Sequence, residues 1–254
     1  MFGRTDASLA PFDRLQELGD LSFSFAYQPI VHGGKAKVIG YEALIHGVAG
    51  ESAESVLSSI RPENRETFDQ FVRLRAIREA SRLGIDKPLH LNCRWLSPEN
   101  APAAMVGMLN MVSARGMQRS DLVLELQNIA RFESLEALDH MRRRLKTFHV
   151  RVLVDQFGAG KADLARLAAL RPDMVKIDRR LVSGISRSRA CQAIVSGIVA
   201  SCRSLGAQVI ALGIENEAEL RCLAALGVSR FQGIYFAAPA VGCLPPATSA
   251  GSSA

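Results

Sequence analysis

The chain has 254 residues, 48% of them hydrophobic and 22% charged, with a formal net charge of +6. That length suits one large core, and the balance excludes a disordered or fibrous chain. No apolar run approaches the roughly 18 residues of a membrane span, and residues 1–11 lack the charged, apolar, small-residue order of an export leader. A cytoplasmic protein is therefore expected. The five cysteines (Cys93, Cys191, Cys202, Cys222, Cys243) are odd in number and widely spaced, which fits reduced core or near-core thiols rather than a disulfide framework or a zinc site. The excess positive charge is scattered. Its densest run, Arg142, Arg143, Arg144 and Lys146, has no interleaved aromatics and no DNA-reading motif, so it reads as a solvated helix face on which an acidic protein could dock.

In chain order, residues 1–22 are expected to form a helical lead-in. Eight apolar or β-rich runs follow, at 23–29, 38–46, 89–92, 122–126, 150–155, 174–177, 208–212 and 231–236. Helical periodicity fills much of the space between them, at 66–83, 133–146, 161–170, 189–205 and 217–226, with Gly84, Gly206 and Gly227 where C-terminal caps belong. Eight strands with intervening helices predict a (β/α)8 barrel over 23–243. Only residues 32–37 separate the first two runs, too few for a crossover helix, so the barrel is expected to begin with an antiparallel pair. Residues 244–254, rich in Pro, Ser, Ala and Gly, read as a disordered tail, fraying from Pro245.

In such a barrel the carboxyl ends of the strands converge on one face. Asn92 closes the third run, Glu125 lies near the end of the fourth, Asp155 closes the fifth and Lys176 lies in the sixth, while Glu42 and Gln232 interrupt the second and eighth. Buried polar residues in apolar strands are costly unless they are used. Glu42, Glu125, Asp155 and the side-chain oxygen of Asn92 make an all-oxygen set suited to Mg2+ or Mn2+.

These residues stand in the motifs YEALIHG with Glu42-Ala43-Leu44, preceded by Gln28-Pro29-Ile30, then LHLNC, LELQN, DQFGAG, PDMVKID, ALGIENEAEL and FQGIYF. In order and spacing the chain resembles the EAL-domain family, bacterial cyclic di-GMP phosphodiesterases, over residues 23–239. The resemblance implies an irregular (β/α)8 barrel that, in active members, hydrolyses one phosphodiester bond with two metal ions. By it, Glu42, Asn92, Glu125 and Asp155 match ligands of one metal, Lys176 a lysine that positions water or phosphate, and Gln28 and Gln232 residues near the substrate.

Four positions depart from the family's pattern. Gln156 stands where a second aspartate holds the second metal, and Leu212 where a glutamate is the candidate general base. Asn128 replaces a glutamate that braces the metal loop, and His46 replaces a phosphate-binding arginine; Glu215 survives, in a place that reads as structural. The expectation is a degenerate EAL protein with no intact catalytic set, at most one weakly held Mg2+ or Mn2+, and weak or no cyclic di-GMP binding through Gln28, His46, Lys176 and Gln232. Its function would then lie in contact with an unidentified regulatory partner. The alternatives are a metal-independent cyclic di-GMP receptor and a slow single-metal phosphodiesterase. Active members often dimerise near the Asp155 loop, but Ala159, Lys161 and Ala162 depart from the usual sequence there, so the homodimer stays an open alternative.

Overall fold

The computed structural model describes residues 23–33, 36–158, 160 and 162–247, so the expected lead-in at 1–22 and the last residues of the chain lie outside the described residues. Eight strands form the barrel: β1 (Phe23–His32), β2 (Lys37–Gly47), β3 (Leu89–Cys93), β4 (Leu122–Leu126), β5 (Arg151–Phe157), β6 (Met174–Ile177), β7 (Gln208–Leu212) and β8 (Arg230–Gln232). From β2 to β8 each strand pairs parallel with the next. The ring is closed by β1, antiparallel to both β2 and β8. The short link at Gly33 to Ala36 forces that reversal, as expected. A two-residue β9 (Ala240–Val241) lies along β1.

Among the described residues eight α-helices surround the barrel: α1 (Ala53–Ser58), α2 (Arg65–Arg82), α3 (Ala101–Ala114), α4 (Leu135–Lys146), α5 (Leu164–Leu170), α6 (Arg179–Val182), α7 (Arg189–Leu205) and α8 (Glu217–Ala225). Side-chain caps set where several of them start. Ser134 accepts from the Ala137 amide, Asp163 from Arg166 and Asn216 from Glu219, each satisfying a donor that the first turn leaves orphaned. For this reason α4 and α5 begin later than the periodicity alone suggests. Gly206 ends α7 at φ 75°, the left-handed conformation that glycine adopts without a Cβ clash. Gly84 and Gly227 have the same sign of φ.

Two differences from the sequence reading have plain causes. The helix α3 went unread because its buried face (Ala101, Ala104, Met105, Met108, Leu109, Val112) is flanked by the equally apolar Val106 and Met111, which erases the polar contrast that periodicity needs. The eighth run ends at Gln232 rather than Phe236. There the Gln232 carbonyl accepts the amides of Gly213 (2.7 Å) and Ile214 (3.1 Å), and the Phe236 amide donates to the Gly233 carbonyl at 3.1 Å, turning the chain. A side chain at Gly233 would collide with the Ile214 backbone, so only glycine fits that approach.

Inside the barrel, Ile30, Val123, Leu153, Met174 and Ile210 meet as a separate apolar cluster, one residue from each of five strands. A larger cluster fills the space between the barrel and its helices. The inner layer is a solid floor beneath the polar residues at the strand ends. Among the cysteines, Cys93 and Cys202 are buried, Cys191 and Cys222 intermediate, and Cys243 is exposed, beyond the last strand. Arg142 and Arg143 both pair with Asp139, at 2.5 and 2.8 Å, on the α4 face. Of the stretch expected to fray, Leu244 and Ala247 pack on the core and Tyr41 donates to the Pro245 carbonyl at 3.1 Å. No helix among the described residues is long and apolar enough to cross a membrane.

Candidate active site

Strand alternation puts residues of equal parity on one face of a strand. The side chains of Glu42 on β2, Asn92 on β3, Glu125 on β4, Asp155 on β5, Lys176 on β6 and Gln232 on β8 accordingly gather above the apolar floor. Lys176 is wholly buried and donates to Glu42 Oε2 at 2.9 Å and to both oxygens of Glu125 at 2.8 and 2.7 Å. Glu42 also accepts from Asn92 Nδ2 (3.0 Å) and Gln232 Nε2 (2.8 Å). Gln232 reaches on to Gln28 Oε1 at 3.0 Å, and Gln28 donates to the Ala237 carbonyl at 3.1 Å. The Gln232 Oε1 atom is buried with no partner.

The charges in this cluster divide unevenly. Burial pushes both glutamates toward protonation, but at Glu42 it is outweighed by Lys176 and the two amides, which hold the group at about 2. At Glu125 the charge of Glu42 adds to burial, and the carboxyl is pushed up to about 8 despite Lys176. Asp155 is raised to about 7, first by burial and then by the nearby glutamates, against the pull of Lys176. Burial disfavours the Lys176 ammonium, yet Glu125 and Glu42 keep it charged and raise its pKa.

Two residues that sequence reasoning missed belong to the same network. His90, two positions before Asn92 and therefore on the same face of β3, places Nδ1 2.8 Å from Glu125 Oε1. Burial and then Lys176 depress it to about 3, so the imidazole is neutral. Its parity with Asn92 was the available signal. Gln127, two residues beyond Glu125, donates through Nε2 to Asn92 Oδ1 at 2.6 Å and to Asp155 Oδ2 at 3.2 Å. It follows the end of β4, where a glutamine reads as solvated.

A cavity of about 290 Å3 opens over the cluster, lined among others by Gln28, Asn92, Arg94, Gln127, Gln156 and Leu212. Gln156 sits at φ 55°, at the irregularity in β5 between Val154 and Phe157, and its amide donates to Asp155 Oδ1 at 2.8 Å. Leu212 ends β7 opposite Gln232. The other singled-out residues stand apart from the cavity lining. His46 is half-buried near the end of β2, Asn128 is exposed at φ 50°, and Glu215 pairs with Arg179.

Oxygen donors of this kind suit a hard divalent cation; their arrangement does not. Among the described residues no three His, Cys, Asp or Glu side chains are placed to hold a metal. The Lys176 ammonium already joins Glu42 to Glu125, and the Gln127 amide already joins Asn92 to Asp155. The residues as placed therefore do not fit the metal that the strand-end set suggested.

Residues 13–239 match the EAL domain family. The chain belongs to that family. The EAL domain is 29% identical over 229 residues to BluF of Escherichia coli, a blue light- and temperature-regulated antirepressor, covering 87% of this chain and 55% of BluF. It is 32% identical over 236 residues to an uncharacterized signaling protein of Caulobacter vibrioides, covering 90% and 29%. The chain thus spans about half or less of those two curated relatives. Among solved structures, a standalone EAL protein of Vibrio cholerae in its cyclic di-GMP-bound form superposes with TM-score 0.85 at 30% identity, covering 92% of this chain and 99% of that one. The manganese and cyclic di-GMP complex of Klebsiella pneumoniae BlrP1 gives 0.79 at 29%, covering 88% and 57%.

Proposed function

We propose that this EAL domain is a catalytically inactive regulatory protein that acts through contact with another protein and binds cyclic di-GMP weakly or not at all. The observation that carries this reading is the placement of Gln156 and Leu212 in one cavity with Asp155 and Lys176. Both departures face the space in which chemistry would occur. A neutral amide is a poor ligand for a hydrated divalent cation, and a leucine has no atom that accepts a proton. Loss of a general base alone costs about 10²- to 10⁴-fold, and a missing second metal removes charge neutralisation as well. The resemblance to BluF, an antirepressor, supports action by protein contact.

The test is labelled cyclic di-GMP incubated with the purified protein, with and without Mn2+, and analysed for linear product. Hydrolysis absent, or within about a thousandth of an active family member's rate, is expected from losses in two parts of the mechanism. Ready turnover in Mn2+ overturns the reading.

A second reading, a metal-independent cyclic di-GMP receptor, is favoured by Arg94. This exposed cation lines the cavity rim and forms no ion pair among the described residues. It can supply a phosphate contact where His46 does not. BlrP1 has also been solved with cyclic di-GMP and no metal ions, at 26% identity and TM-score 0.71. Saturable binding of labelled nucleotide in a chelator, lost in Arg94→Ala, would establish this second reading.

A further inference from the structure

Gln127 follows β4 by one residue and is flanked by β3 and β5, the two strands that carry Asn92 and Asp155. Its amide hydrogen-bonds back to the Cys93 carbonyl, so the side chain emerges between those neighbours, one step nearer the mouth than Glu125. A shorter side chain there would end before reaching both oxygens. Glutamine reaches them, and it is almost fully buried in doing so, at 9% exposure. The cost of burying an amide is offset because its two N–H groups meet two oxygen acceptors.

Resting on the inactive reading of the mouth, we propose that Gln127 is an internal plug: its amide bridges Asn92 Oδ1 and Asp155 Oδ2, two oxygens that would otherwise be available to hold a divalent cation, and so closes the site to metal. The plug sets the orientation of Asn92 as well. With Oδ1 held by Gln127, Asn92 turns Nδ2 toward Glu42 Oε1 and the Ala43 carbonyl (3.4 Å), so that a donor faces Glu42 where a ligand set needs an acceptor. A cation entering from the mouth has to break the Gln127 contacts and reverse the Asn92 amide before two of its four oxygens are free.

Free Mn2+ is counted by electron paramagnetic resonance while it is titrated into the 254-residue chain and into its Gln127→Ser and Gln127→Met variants. Serine removes the reach, its hydroxyl being too short to bridge the two oxygens, whereas methionine keeps the volume and removes the donor, so a folding failure of one leaves the other to decide. The native chain is expected to bind Mn2+ weakly, and at least one variant to bind it tenfold or more tightly. Adding Asp155→Ala to that variant should return binding to the native level. Equal affinity in all three proteins overturns the plug, as does a gain that survives Asp155→Ala. The readout is metal occupancy, not hydrolysis, so failure here leaves the inactive reading standing, and turnover by the native protein fails that reading without deciding this one.

Discussion

Replacing Lys176 by methionine keeps the buried stem and deletes the ammonium that joins Glu42 to Glu125. Both carboxylates are at least nine-tenths buried and Lys176 is fully so, so no water takes over the three contacts of 2.7 to 2.9 Å. Removing one partner of a buried ionic cluster costs about 3–5 kcal/mol, because the remaining charge stays desolvated. Against a typical total of about 5–15 kcal/mol that is a large share, and with a urea slope of about 3 kcal/mol per molar it lowers the midpoint by about 1–1.7 M. Glu42 is the carboxyl held ionised, so Glu42→Gln in the Lys176→Met background should recover at least half of the loss. Urea unfolding followed by circular dichroism measures both variants. A loss under about 1 kcal/mol, within the range of exposed pairs, or a double variant no more stable than Lys176→Met, would refute the view that the cluster is dry and held by Lys176.

Raised carboxyls give the fold a pH signature. Glu125 and Asp155, pushed up to about 8 and about 7, are protonated in the fold where the unfolded chain has ionised, so their contribution is present at acid pH and lost as pH rises through those values. His90, depressed to about 3, slopes the other way but only up to its unfolded value near 6.5. Between pH 6.5 and 8 unfolding free energy should therefore fall, by at most about 1.4 kcal/mol per pH unit for each carboxyl, and Glu125→Gln should flatten the decline in paired urea melts. Restoring Gln156→Asp and Leu212→Glu together should raise hydrolysis of labelled cyclic di-GMP far more than the product of the single changes, since groups that act as a unit respond non-additively; multiplicative singles would argue against a shared defect. Aspartate tolerates the left-handed backbone at position 156 better than glutamine does, so Gln156→Asp alone should not lower the thermal midpoint. Gly233→Ala, by forcing a Cβ into the Ile214 backbone, should destabilise by about 3 kcal/mol, and an unchanged melt would contradict that close approach.

The strand ends were legible because each polar residue broke an apolar run: Glu42, Glu125, Asp155 and Lys176 had no local reason to be there and met at one place. The antiparallel start was legible from link length. What escaped was interaction across strands. Gln127 follows its strand, where glutamine carries no signal, and its partners are 35 and 28 residues away along the chain. His90 is an ordinary strand position in the sequence, and only the pairing of β3 with β4 brings its ring to the carboxyl of Glu125. In α3, uniform apolarity hid a helix that packing defines and patterning does not.

The apolar layer of Ile30, Val123, Leu153, Met174 and Ile210 lies inside the barrel beneath the polar cluster at the strand ends. Mouth residues outside the Lys176 network, such as Gln156 and Leu212, line the cavity above that packing and are not part of it. On the inactive reading proposed above, such positions can exchange a proton acceptor for a leucine and a ligand for an amide and leave a scaffold that still folds. Such a chain remains free to be recruited for its outer surface, and the same separation lets an engineer rebuild those positions one residue at a time.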